Sequence, residues 1–111
     1  MAMYMLMAKY SPAALKAIAE TSSDREAAAR AAVEAAGGKM HGFYGMLGQE
    51  YGLAMIVEAP GHAEYIGGLI PAISSGTFES WKSIPLYTWA DMTKALKIAK
   101  KVQTVYKPPG R

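Results

Sequence analysis

From Met3 to Tyr10 the chain is apolar apart from Lys9. In an extended chain Met3, Met5 and Met7 point to one side and Tyr4, Leu6, Ala8 and Tyr10 to the other. The pattern predicts a strand that is central in its sheet and covered on both faces. Ser11-Pro12 then predicts a helix start, a side-chain cap followed by proline in the first turn. Leu15, Ile18 and Ala19 form a short apolar stripe that Thr21-Ser22-Ser23 interrupts. Helix resumes at Asp24 and runs to Ala36, where Gly37-Gly38 ends it. Glu26, Arg30 and Glu34, spaced by four, mark its wet stripe. Opposite lie Ala28, Ala31, Ala32 and Ala35, a face so thin that the helix is expected to sit close to its sheet.

Lys39 to Leu47 reads as a second strand, weakened by Gly42 and Gly45 in a way that suits an edge or a bulge. Gly48 to Tyr51 is the turn, and Gly52 to Ala59 a third strand with apolar residues on both faces. Pro60-Gly61 breaks it. Tyr65, Ile66, Leu69, Ile70 and Ile73 have amphipathic helical spacing, and the helix over 63–73 is expected to be short or kinked because it holds Gly67, Gly68 and Pro71. Thr77 to Leu86 is the fourth strand, carrying Phe78, Trp81 and Ile84. Asp91 is expected to cap a last helix with Met92, Ala95, Leu96, Ala99 and Val102 on one face. The domain thus spans 1–102, and 103–111, with Pro108-Pro109, reads as an extended tail.

The order βαββαβ plus a C-terminal helix predicts an α+β, ferredoxin-like domain with a four-stranded antiparallel sheet. Right-handed crossovers place strands one and three in the middle. Both helices then cover one sheet face, yet the other is apolar too and needs a cover. Two such sheets packed face to face would supply it, so a homodimer or higher oligomer is expected. The tail extends this expectation, with Val105 and Tyr106 against a neighbouring subunit and Lys107 at the rim.

A chain of 111 residues allows one core, and with 51% apolar and 19% charged residues it is no disordered polyampholyte. The longest apolar run, Met1 to Ala8, is too short for a membrane span of about twenty residues and has neither the basic start nor the cleavage site of a leader. No membrane partner is therefore expected. The chain has no cysteine, which removes disulfides and thiolate chemistry and fits a cytoplasmic location. The net charge of +3 hides an asymmetry. Residues 94–111 carry Lys94, Lys97, Lys100, Lys101, Lys107 and Arg111 without an acid, whereas 1–93 hold six bases against nine acids. Aromatic residues do not interleave with these lysines, so nucleic acid is not an expected partner; a solvated helix face or an acidic protein partner fits the pattern.

The candidate chemistry is sparse. If the hairpin closes with Leu47 opposite Gly52, Phe43 faces Ile56 and His41 faces Glu58 on one sheet face. A carboxylate beside an imidazole orients it and favours its proton, which is how a general base is made; the alternative is an ordinary cross-strand ion pair. His41 and Glu58 are thus the candidate catalytic residues. Tyr44 and Tyr51 are candidates to place hydroxyls at a cavity mouth, Met55 to adapt to an apolar ligand and Trp81 to line a pocket or an interface; all four also fit plain core or surface roles. His62, at the start of the second half's helix, reads as a capping or solvent-exposed residue. Two histidines without a third ligand make no metal site, and no cofactor is implied.

The segment Leu47 to Pro60, LGQEYGLAMIVEAP, together with Ala36-Gly37-Gly38-Lys39 and Phe43-Tyr44, resembles the GYD domain family of small bacterial and archaeal proteins. The resemblance covers roughly residues 3 to 100 and implies a dimeric α/β barrel, an architecture shared with cofactor-free monooxygenases, lactone isomerases, polyketide cyclases and haem enzymes. Gly48 and Tyr51 match the motif's glycine and tyrosine with one extra residue between them. Gly52 stands where the motif has aspartate, and Gly61 where an acidic helix cap is expected, so any role of those acids is absent. The resemblance carries over no catalytic residue.

Together these features lead us to expect a cytoplasmic homo-oligomer that binds a small apolar or aromatic molecule, with or without metal-free conversion, in a cavity between the sheet and the second half's helix. His41, Glu58 and Tyr44 are the expected polar groups inside. The rival is a non-enzymatic assembly or regulatory subunit whose basic tail engages a partner.

Overall fold

The computed structural model describes residues 1–110; Arg111, the last cation of the basic tail, lies outside the described residues. The elements are β1 (Ala2–Tyr10), α1 (Pro12–Thr21), α2 (Arg25–Ala35), β2 (Lys39–Gly45), β3 (Leu53–Ala59), α3 (His62–Ser74), β4 (Phe78–Leu86) and α4 (Trp89–Gln103). The four strands form one antiparallel sheet in the order β2-β3-β1-β4, with the two doubly apolar strands in the centre. This is the ferredoxin-like α+β arrangement expected from the element order.

Local chemistry sets most boundaries. Ser11 Oγ accepts from the Ala14 amide and Asp24 Oδ1 from that of Ala27, which caps α1 and α2. Gly37, at φ +86°, takes the left-handed turn after α2 that a side chain would resist. Gly61 opens α3 without a side-chain cap. That helix spans thirteen residues with Pro71 inside it, longer than its glycines and proline suggest. The cap of α4 is Thr88, not Asp91: Asp91 is the returning half of a capping box, its carboxylate accepting from the Thr88 amide.

The core lies between the sheet and α2 and α3. Leu6 and Ala8 of β1, Met40 of β2, and Leu53, Met55 and Val57 of β3 are buried there. The face of α2 turned to them is not the expected alanine stripe. Ala28, Ala31, Ala32 and Ala35 are exposed, while Arg25, Ala29, Val33 and Ala36 are partly buried. Val33, the one larger apolar side chain of the helix, packs on the core with Ala29 and so sets the helix rotation.

The opposite sheet face has no covering layer within the chain. Its centre is a row across three strands, in which Met5 lies between Ile56 of β3 and Ile84 of β4. The C-terminal helix does not cover this face: α4 makes no extensive packing with any other element, and all of its residues except Met92 are exposed. The radius of gyration is accordingly 18.2 Å, against about 13 Å for a compact domain of some 100 residues.

Candidate functional site

A cavity of about 390 Å³ opens between the sheet and the helix pair α2 and α3. Its floor is the helix-facing side of the sheet, with Leu6 and Tyr10 from β1, Phe43 from β2, and Met55 and Val57 from β3. Its roof is Ala29, Ala32 and Val33 of α2 with Tyr65, Gly68 and Leu69 of α3. The space follows from residue size. Gly68 allows α3 to approach α2 closely, since a Cβ there would stand 3.3 Å from that of Ala36. The alanines of α2 then reach only part of the way down to the sheet, and the gap is left between them. The volume falls within the range of about 300–1,000 Å³ common for small-molecule sites.

Three tyrosines supply polar groups along this layer. Tyr65 stacks on Tyr4, ring centroids 3.9 Å apart, and its hydroxyl shares a 2.6 Å hydrogen bond with Ser83 Oγ. The Tyr4 hydroxyl is hydrogen-bonded to Nδ1 of His62, so the exposed histidine at the head of α3 is tied to the central strand. Burial pushes the Tyr10 phenol up, and the neighbouring Arg25 guanidinium holds part of that rise back. Burial likewise raises Tyr65, offset in part by the bond to Ser83.

These shifts dictate an alkaline weakness. A phenol whose folded pKa lies above its unfolded value of about 10 keeps its proton in the fold, so its contribution is intact below that pH and lost as pH rises through the folded pKa. Lys9, raised above 10.5 chiefly by its hydrogen bond to Glu79, loses its contribution in the same window. The urea midpoint is therefore expected to fall between about pH 8 and pH 11, and to fall less in Tyr10→Phe. An equal drop in the variant would show that the phenol is not coupled to folding.

The residues singled out from sequence are distributed differently from expectation. Only Met55 lines the cavity. His41 and Glu58 do meet, Nε2 to Oε1 at 2.8 Å, but on the outer sheet face, away from the cavity. They meet by another route than the expected register. Gly45, not Leu47, starts the pairing opposite Leu53, and Phe43 faces Met55 instead of Ile56. A bulge at His41 then shifts the ladder, so that the direct neighbour of Glu58 is Lys39. With about a third of His41 and a quarter of Glu58 exposed, the contact is a partly solvated hydrogen bond of modest worth. Tyr44 lies opposite Ala54 on the same outer face and is largely exposed. Tyr51 belongs to the β2–β3 turn, and Trp81 sits half-exposed on the β4 edge; neither lines the cavity.

Arg25, Tyr10 and Tyr65 are the lining residues that sequence reasoning passed over. Arg25 shares the spacing of Ala29 and Val33 on α2, which was the available signal that its stem belongs to the inner face. Among the described residues no group of three histidines or acids could hold a metal, and no helix is long and apolar enough to cross a membrane. A family model described as a GYD domain matches residues 4–96. No curated protein and no solved structure matches the chain.

Proposed function

The chain belongs to the GYD domain family, and from that premise we propose that it binds a small apolar or aromatic molecule in the cavity between its sheet and helices α2 and α3. The observation that supports this reading is the cavity itself, a concave space of ligand size with a mainly apolar lining. Tyr10 and Tyr65 take the place of His41, Glu58 and Tyr44 as polar groups at the cavity. Any proton-transfer role of His41 and Glu58 belongs to the outer face. The lack of cysteine fits a cytoplasmic setting for such a protein.

The test is an NMR titration with 1-naphthol. The methyl signals of Leu6, Val33, Val57 and Leu69 are expected to shift together, and Ala32→Trp, which fills the roof, is expected to abolish the shifts while leaving the fold intact. Shifts confined to other residues, or unchanged by the indole, would refute the cavity as the binding site.

A second reading, assembly, has its own support in the uncovered sheet face and in α4. The proposed partner is a second copy of the chain, with the outer faces packed together as in the dimeric barrels. In the assembly reading the lysines of α4, all exposed, remain free for an acidic partner.

A further inference from the structure

The cavity contains a single cation, and part of that cation is unsatisfied. Arg25 is the only basic residue among those lining it. Its Nη1 donates a long hydrogen bond, 3.4 Å, to Ser23 Oγ, while its Nε is buried with no partner at all. That N–H is closed off by the chain itself, but the guanidinium to which it belongs lines an apolar cavity, and a charge so placed marks a position where an anion belongs.

Among the described residues no carboxylate fills that role. Asp24, the adjacent residue, spends its side chain on the Ala27 amide at 3.0 Å. Glu26 turns to Arg30 at 3.2 Å. Glu64 is the one acid in the lining, but it stands in the first turn of α3, next to the Ala59 end of the sheet, where β3 pairs with Ala2. Arg25 lies beside Tyr10, at the other end of β1. The basic end of the cavity therefore has a guanidinium, a phenol hydroxyl and no anion.

We propose that the ligand of this cavity is an apolar molecule bearing a carboxylate, its body laid between the sheet and α2 and α3 and its carboxylate paired with the guanidinium of Arg25. The planar fork of arginine matches a carboxylate through two parallel N–H donors, and the apolar walls strengthen that bond by excluding water. The Tyr10 hydroxyl stands beside the guanidinium as a further donor. The inference rests on the cavity reading above and adds to it the chemical class of the ligand.

The experiment compares 1-naphthylacetate with its uncharged counterpart 1-naphthylacetamide, which differs in charge and hardly in shape. The acid is expected to bind the wild-type protein at least about tenfold more tightly than the amide, as a charge-assisted hydrogen bond provides. Arg25→Gln is expected to erase that preference and Arg25→Lys to retain part of it. In the wild-type protein the Nε–H signal of Arg25 is expected to move on adding the acid and to stay in place with the amide, a readout that needs no variant to fold. Equal binding of acid and amide, or a preference that survives Arg25→Gln, would overturn the carboxylate assignment and leave the cavity reading standing. If neither compound moves the cavity methyls, both fail together.

Discussion

Light scattering behind size exclusion, near micromolar concentration, is expected to give at least twice the 11.9 kDa mass of one chain, and Met5→Lys is expected to return the protein to a single chain. Met5 is the centre of the uncovered face. It pairs with Ile56 on one side and Ile84 on the other, and its neighbours along β1 on that face are Met3 and Met7. Leu86 and Glu58 flank Met3, and Ala54 and Lys82 flank Met7, so the apolar centre is bordered by one acid and one base. Such a contiguous apolar surface on a monomer is uncommon, because its exposure to water is unfavourable by about 25 cal/mol per Å². A two-fold interface presents the same patch twice, so a lysine at its centre meets its own copy across the axis and is desolvated in both subunits. The expected weakening of assembly is at least about a hundredfold, a little under 3 kcal/mol. Far-ultraviolet circular dichroism should be unchanged, since the side chain stands on the face away from the core. A wild-type protein that runs as a clean single chain would end the case for paired sheets.

The second large effect concerns the C-terminal arm. Removal of residues 88–111 is expected to leave the folded domain in place and to weaken assembly, because among the described residues α4 makes no extensive packing with any other element. What it exposes is substantial: Trp89, Leu96, Ile98 and Val102 along the helix, then Val105 and Tyr106 beyond it, with Tyr106 still tied by its amide to the Val102 carbonyl at 2.8 Å. A fifteen-residue helix stripped of tertiary support is marginal in water, even with the capping box at Thr88 and Asp91 and with Lys100 and Lys101 at its C-terminal end. A partner surface supplies the missing support, and we expect the truncated chain to show at least about tenfold weaker association. Removing only residues 104–111 isolates the part played by Val105 and Tyr106. If neither truncation alters the assembly mass or its melting temperature, the arm has no structural part in the oligomer.

The apolar runs of β1 and β3, broken only by Lys9 and Glu58, are enough to mark these two as the central strands of the sheet. Ser11, Asp24 and the Gly37-Gly38 pair located the ends of α1 and α2, since capping is a matter of a few neighbouring residues. Asp91 shows how far such local reading extends. Its carboxylate does serve the start of α4, but from inside the first turn, with Thr88 as the cap.

The site was a different matter. His41 and Glu58 were read as a pair inside a cavity, and they touch outside it, because one extra residue in β2 reverses which side chains share a face downstream of the bulge. Nothing in Met40-His41-Gly42 announces that bulge beyond a glycine that strands often tolerate. The cavity itself depends on the rotation of α2 about Val33 and on the approach of α3 at Gly68, relations between elements far apart in the chain. Arg25 enters the lining of the cavity only through that rotation. Element order, strand centrality and helix caps are thus written in short stretches of residues, where alternation and a single hydrogen bond decide the outcome. The location of the cavity, the charge inside it and the exposure of α4 come from packing across the whole domain, where the size of one side chain on one helix decides which face turns inward.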